Sequence, residues 1–216
     1  MSARLPSRWA ALDFETADSF STRDDGTRVC PSHACEIGVV VVVDGRIVDR
    51  YETRICPAVP ISDAARLVHG LSPSDVADAP LFAAAWATVA ALLQSHGVAA
   101  LVAHNAPFDA GVLESEIARA GLDPLTLPWF DSVSIARWAW PSLARGAGGQ
   151  GHGLRALGEA LGFADAHRHH SAGGDALACA LVTLAACEVR RQGATGPDAV
   201  RVGQAFVRGA LARGPL

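Results

Sequence analysis

The chain has 216 residues, a formal net charge of -4, and 50% hydrophobic against 19% charged residues. That length supports one well-buried core, and that balance favours a folded soluble domain over a disordered one. All 18 basic residues are arginine and 22 acids outnumber them, which argues against the broad basic surface of a tight, sequence-independent duplex binder.

The apolar run from Trp9 to Phe14 predicts a buried central strand that ends in the acids Asp13 and Glu15. Residues 18–33 are polar, carry Asp24, Asp25, Gly26 and Pro31, and predict a long loop bordering a groove. Ala34 to Val43 and Arg46 to Cys56 predict two strands, antiparallel across the hairpin signal Asp44-Gly45. Val39 to Val43 is the longest aliphatic stretch, so no membrane-spanning run is expected. Pro60 to Asp63 opens a short helix through Arg66 and His69 that stops at Gly70, and a second helix runs from about Leu81 to His96. Val98 to Ala103 predicts another buried strand, Pro107 starts a helix through Ala120, and Trp129 to Asp131 ends the last strand. Helices are expected at 132–140, 153–162 and 173–190, with a glycine-rich loop from Gly146 to Gly153 between the first two.

This order predicts an α/β fold, a mixed five-stranded sheet flanked by helices. Residues 1–190 read as one domain, with 191–216 as a helical extension. Its amphipathic stretch from Asp198 to Arg213 is expected to pack on that domain; pairing with another subunit or touching nucleic acid are the alternatives. Oligomeric state is not legible. Five cysteines without a dense framework fit a reducing compartment, and the N-terminus has no signal-peptide apolar stretch, so a cytoplasmic protein without structural disulfides is expected. Cys30 and Cys35 match no common zinc spacing and read as free thiols.

The chemistry sits in three short stretches. Asp13 and Glu15 are two apart on a strand and so share a face, where two like charges need a cation or protons between them. Fraying of the strand, or pairing with arginines, would also accommodate them. Asp109 falls in the first turn after Pro107, where the helix dipole favours an anion, at the carboxyl end of a strand. Asp175 begins an alanine-rich helix, and His170 precedes it on a glycine-containing approach, with His167 and His169 as competitors. Four converging carboxylates suit two hard divalent ions and phosphodiester cleavage, with a histidine to activate water.

The pattern Asp13-x-Glu15, then His104-Asn105-x-x-Phe108-Asp109, then His170-x-x-x-x-Asp175 resembles the DEDDh 3'-to-5' exonucleases. Glu36-Ile37-Gly38, Val68-His69-Gly70-Leu71, and Asp131-Ser132 with Ala136-Arg137 are similar to family segments as well. The resemblance spans about Trp9 to Cys187 and implies a ribonuclease-H-like fold. It also implies two Mg2+ or Mn2+ ions held by Asp13, Glu15, Asp109 and Asp175, and His170 as general base. Phe14, Thr16, Val68, His69 and Phe108 match positions that surround the terminal nucleotide in relatives. As alternatives, Phe14, Val68 and Phe108 are core, Thr16 a turn residue and His69 a cation at a helix C-terminus. Asn105 is expected to support a helix start and Asp131 to cap a helix. The implied substrate is a single-stranded DNA or RNA 3' end, with DNA preferred. The alternatives are a non-catalytic nucleic-acid-binding module of the same fold and an enzyme acting on short RNA. Residues 191–216 do not resemble the tail that holds a polymerase in the proofreading subunit, so polymerase association is in doubt.

Overall fold

Alternation along the long strands sets the architecture. In β1 (Arg8–Thr16), Trp9 and Ala11 enter one buried cluster while Ala10, Leu12 and Phe14 enter another. The next long strand, β4 (Ala34–Val43), divides likewise, with Val40 and Val42 on the first side and Ile37, Val39 and Val41 on the second. Strands that are apolar on both faces need cover on both, and helices supply it. A computed structural model describes residues 4–18, 21–22, 28–29, 32–164 and 170–212 of the chain.

The sheet runs β5-β4-β1-β6-β7, with β5 at Arg46–Arg54, β6 at Leu101–Ala103 and β7 at Trp129–Asp131. β1 is central, antiparallel to β4 and parallel to β6, so this is the expected mixed five-stranded sheet. Asp44 and Gly45 both have positive φ (49° and 76°), the backbone that a two-residue hairpin between β4 and β5 requires. On one face lie α3 (Phe82–Ser95) and α4 (Ala106–Ala120). The other carries α5 (Ser132–Ala139), α6 (Leu154–Leu161), α7 (Ala172–Gln192) and α8 (Gly196–Leu211). The short α1 (Asp63–His69) is capped by Ser62 and ended by left-handed Gly70, and it packs with Cys35 and Leu71 beside the end of β1.

Four expectations need correction. Within residues 18–33, expected to be a loop, Ser21–Thr22 (β2) and Arg28–Val29 (β3) pair as an antiparallel ribbon too short to leave a periodic signal. The strand expected from Val98 starts at Leu101, because the N–H groups of Val98 and Ala99 go to Leu93 and Arg8 at the crossing from α3. A four-residue helix, α2 (Pro73–Val76), was not anticipated; Ser72 and Asp75 form a capping box around it. Finally, α7 is long and apolar enough to cross a membrane, although its polar residues interrupt every aliphatic run. It is instead the central helix of the core, with 72% of its most apolar stretch buried inside the protein.

Candidate active site

The site is built where β1 outlasts its parallel neighbour. β6 pairs with β1 only at Ala10 and Ala11, so further along β1 the backbone on that side has no ladder partner. Asp109 fills the gap: its Oδ1 accepts the Phe14 N–H at 3.1 Å, and the residue is only 2% exposed. A carboxylate from the first turn of α4 is thereby fixed between Asp13 and Glu15, on the strand. The start of α4 is fixed in turn by Asp131, whose Oδ1 accepts the N–H groups of Asn105 (3.0 Å) and Ala106 (3.4 Å). Asp131 also accepts the N–H groups of Val133 and Ser134 at the start of α5, so it serves two helices where one was expected. Burial opposes ionisation of Asp131, but these N–H groups and the Ser134 hydroxyl hold its pKa below the ordinary range. Asn105 supports the turn with a left-handed backbone, φ 76°.

Asp13 and Glu15 lie opposite Gly38 and Glu36 on β4, on the face that receives the start of α7. A Cβ on Gly38 would sit 2.2 Å from the Ala172 carbonyl, so only glycine lets that helix settle on the sheet. Glu36 Oε2 accepts the Ala172 N–H at 2.8 Å, Glu52 Oε1 accepts that of Gly173 at 3.0 Å, and Ser171 Oγ accepts that of Gly174 at 3.2 Å. A Cβ on Gly173 would meet the Glu52 carboxylate at 2.5 Å. The first turn of α7 is thus pinned at three successive N–H groups, and it carries Asp175 toward Glu15. Ligand atoms of Glu15, His170 and Asp175 all lie within 4.8 Å of one another. His170 is exposed and has φ 57°, a left-handed residue just ahead of the Ser171 cap. His167 and His169 lie outside the described residues.

The electrostatics follow from this crowding. Burial, then the charges of Asp109, Asp175, Glu15 and Glu36, push the Asp13 pKa well above the carboxylate range. Burial does the same to Asp109 against the pull of the Phe14 N–H, with Glu15 and Asp175 adding to it. Glu15 is pushed up to about 8 by burial and by Asp175 and Glu36. Such a cluster is stable when protonated or when cations neutralise it. An all-oxygen donor set of four acids, two of them on one strand, fits hard divalent ions of the Mg2+ or Mn2+ kind.

The remaining candidate residues border this cluster unevenly. His69 Nε2–H donates to the Thr16 carbonyl at 3.2 Å and Nδ1 accepts the Leu71 N–H at 3.1 Å, which fixes the neutral tautomer. Burial and the nearby His170 outweigh the Thr16 carbonyl and lower its pKa, so it is not the helix-terminal cation of the alternative reading. The Thr16 hydroxyl donates to the Asp18 carbonyl at 3.0 Å, as a turn residue does. Val68 is 54% exposed on α1, next to Leu67 at 88%. Phe14 is buried among the apolar residues under α3, and Phe108 packs against the same cluster. Cys35 is buried on β4 with its thiol 3.8 Å from His69 Nε2, while Cys30 lies outside the described residues. Sequence reasoning gave no role to Glu36, Glu52 or Gly173. Alternation along β4 was the available signal for Glu36, two residues from Gly38 and therefore on the same face.

With this geometry, the sequence profile of the exonuclease family of ribonuclease T type matches residues 11–183, from β1 through most of α7. The chain belongs to that exonuclease family. The chain is 31% identical over 175 residues to the DNA polymerase III subunit epsilon-like protein of Rhodobacter capsulatus, a match covering 80% of the chain and 22% of that relative. It is 30% identical over 169 residues to the DNA polymerase III subunit epsilon of Pasteurella multocida, covering 76% and 61%. It is 29% identical to the PolC-type DNA polymerase III of Bacillus cereus, over 60% of the chain but only 9% of that relative's length. The chain therefore matches a minor part of several of these proteins. Among solved structures, the fold is shared with E. coli Exonuclease I in complex with a 5cy-dT13 oligonucleotide, at TM-score 0.65 and 18% identity over 87% of this chain and 41% of that one. It is shared also with the nuclease domain of 3'hExo, a DEDDh family member bound to rAMP, at TM-score 0.61 and 14% identity over 86% and 92%. The ribonuclease-H-like architecture expected from the motifs is the one these neighbours have.

Proposed function

We propose that this chain hydrolyses the terminal phosphodiester at the 3' end of a single strand, DNA in preference to RNA, and releases 5'-mononucleotides. The observation that carries the reading is the convergence of Asp13, Glu15, Asp109 and Asp175 beside the His170 imidazole. The four carboxylates would hold two Mg2+ or Mn2+ ions. When bound, such ions acidify a water and offset charge on the leaving oxygen. His170 takes the proton of the attacking water, and its exposed position lets it pass that proton to solvent. Asp109, tied to the Phe14 N–H, and Asp175, on the pinned turn of α7, keep their oxygens aimed without reorganising. Thr16, Val68 and His69, with Phe14 and Phe108, would surround the terminal nucleotide; His69 is tied to the Thr16 carbonyl, one residue past Glu15, and Val68 beside it offers an exposed apolar surface on which a base face rests with little sequence preference. DNA is favoured because the relatives above are named for DNA polymerase III. A cytoplasmic setting suits Cys35, Cys56, Cys179 and Cys187, all present as free thiols.

The test is digestion of 5'-end-labelled DNA, RNA and dinucleotides with Mg2+ or Mn2+. Stepwise shortening with mononucleotide release is expected, fastest on DNA. Internal fragments would overturn the exonuclease direction, and tight strand binding without hydrolysis under any metal would leave a binding module of the same fold.

A further inference from the structure

A second polar cavity opens on the same edge of the sheet as the acids, and it is their electrostatic opposite. Its volume is about 400 Å³, and it is lined by His104, Val133, Arg137, Ala144, Arg145 and residues 151–153. No acid is among those residues. β6 and β7 run parallel to β1, so His104, just past β6, and α5, just past β7, emerge where β1 delivers Asp13 and Glu15. The two places are joined through Ser132, whose Oγ lies 2.8 Å from His104 Nδ1 and accepts from Cys179 Sγ at 3.4 Å. The Cys179 thiol in turn feels the charges of Asp13 and Asp109.

The wall of this cavity is the glycine-rich segment that the site described above does not use. Gly149 packs so closely that a Cβ would lie 2.2 Å from the Leu143 carbonyl oxygen, and Gly151 has φ 104°. The Gly151 N–H closes the turn on the Leu143 carbonyl at 2.9 Å. The Arg145 chain lies across Gly151, with one donor on the Gln150 carbonyl at 3.3 Å. Arg137 makes no ion pair or hydrogen bond among the described residues and is exposed. His152 Nε2–H donates to the Trp140 carbonyl, which leaves Nδ1 for another group. Gly153 is the N-cap of α6, so the cap offers no side chain to the first N–H groups of that helix; among the described residues no other side chain takes them, and the first turn contains no acid. Asp131 acts on His104 from nearby, but its carboxylate is engaged by the starts of α4 and α5. Two guanidiniums, two imidazoles and the Gly153 cap of α6 therefore line one open space that has no acid in its walls, with Asp131 behind His104 as the nearby carboxylate.

We propose that this cavity is a phosphate subsite: Arg137, Arg145 and the start of α6 take the non-bridging oxygens of a phosphate group. Guanidiniums match the geometry of a tetrahedral oxyanion, and an uncapped helix start adds N–H donors and a partial positive charge. Two sources carry that chemistry, an internal phosphodiester of the strand whose end lies among the acids, or a free phosphate monoester such as a released mononucleotide. The strand source rests on the nuclease reading given above; phosphate binding itself does not.

Two measurements on the full chain separate these cases. The first is fluorescence anisotropy of a labelled single-stranded DNA in Ca2+ buffer, compared for wild type, Arg137→Gln and the double variant Arg137→Gln/Arg145→Gln. If an internal phosphodiester sits here, affinity falls about tenfold and the slope of log affinity against log salt becomes shallower by about 0.7 per lost contact. The second titrates inorganic phosphate in EDTA against the ring resonances of His104 and His152 at constant ionic strength. If a free phosphate occupies the site, both rings shift saturably in wild type and stay flat in Arg137→Gln. Arg137→Gln leaves the Arg145 strap over Gly151 in place, so it remains informative if the double variant loosens the loop. Either positive result supports the subsite and names its source. Unchanged DNA affinity together with flat titrations in wild type overturns it. Hydrolysis by wild type in Mg2+ is scored separately, so its absence counts against the nuclease reading and not against the subsite.

Discussion

The starts of α6 and α7 meet the same requirement in opposite ways. Each helix begins with N–H groups that have no partner within the helix. At α7 they are taken by Glu36, Glu52 and Ser171, and the turn is locked onto β4 through Gly38. At α6 the cap is Gly153, which has no side chain to offer, and it lines a cavity flanked by Arg137 and Arg145. The closed start holds the Asp175 carboxylate in place, and its N–H groups are already taken. The open start positions nothing and is available to an anion. On the proposed reading, chemistry is concentrated where the backbone is satisfied internally, and recognition where it is not.

The largest break in that contrast is at Asp175. Asp175→Ala is expected to abolish cleavage of end-labelled DNA while circular dichroism stays native, whereas His170→Ala lowers the rate by about 10²- to 10⁴-fold, the scale of a general base. Wild-type rates in either variant would remove that residue from the mechanism. Next is Gly38→Ala, which drives a methyl into the Ala172 backbone; destabilisation at the upper end of the ~1–3 kcal/mol typical of overpacking is expected, with activity lost at temperatures where the fold survives. A urea titration reads the first effect and a cleavage assay the second.

The acid cluster should also mark the pH dependence of the metal-free protein. Glu15, Asp13 and Asp109 have folded-state pKa values raised above the unfolded ones, so the folded state binds more protons and stability falls as pH rises. The fall should begin near the ordinary carboxylate values and be complete, for Glu15, above about 8. Melting temperature in EDTA should decline across that window, and Mg2+ or Mn2+ should flatten the decline; a flat profile in EDTA would contradict the crowding of the acids. A smaller loss, about 2 kcal/mol, is expected for Asp131→Ala, which uncaps α4 and α5 together. At the open start the fold should barely respond: Arg137→Gln is expected to change unfolding free energy by no more than about 0.5 kcal/mol.

Much of this was legible in the chain because it rests on short-range rules. Alternation puts Asp13 and Glu15 on one face, Asp44-Gly45 has the backbone a hairpin demands, and Gly70, Gly121 and Gly193 end helices where they were expected or nearby. Less legible was whatever depends on two distant segments meeting. Glu36, although part of a family-like segment, and Glu52 have no visible role until α7, more than a hundred positions later, lies across them. Asp131 has a local role visible in sequence and a remote one at Asn105 that is not. Phe14 matches a substrate position only by the family resemblance, while strand alternation places its ring in the buried cluster that includes α3.

One contact gives the C-terminal helix more weight than its position in the chain suggests. The fully buried Trp140 donates its indole N–H to the Ala199 carbonyl at 3.0 Å, and Gly203 lies so close that a Cβ would meet the same ring at 3.0 Å. Ala199 and Val207 belong to the same apolar cluster as β1 and α7. Trimming the chain at residue 190 would uncover that indole, strand its N–H without an acceptor and unroof α6, so a minimal catalytic fragment must retain α8 to remain well folded.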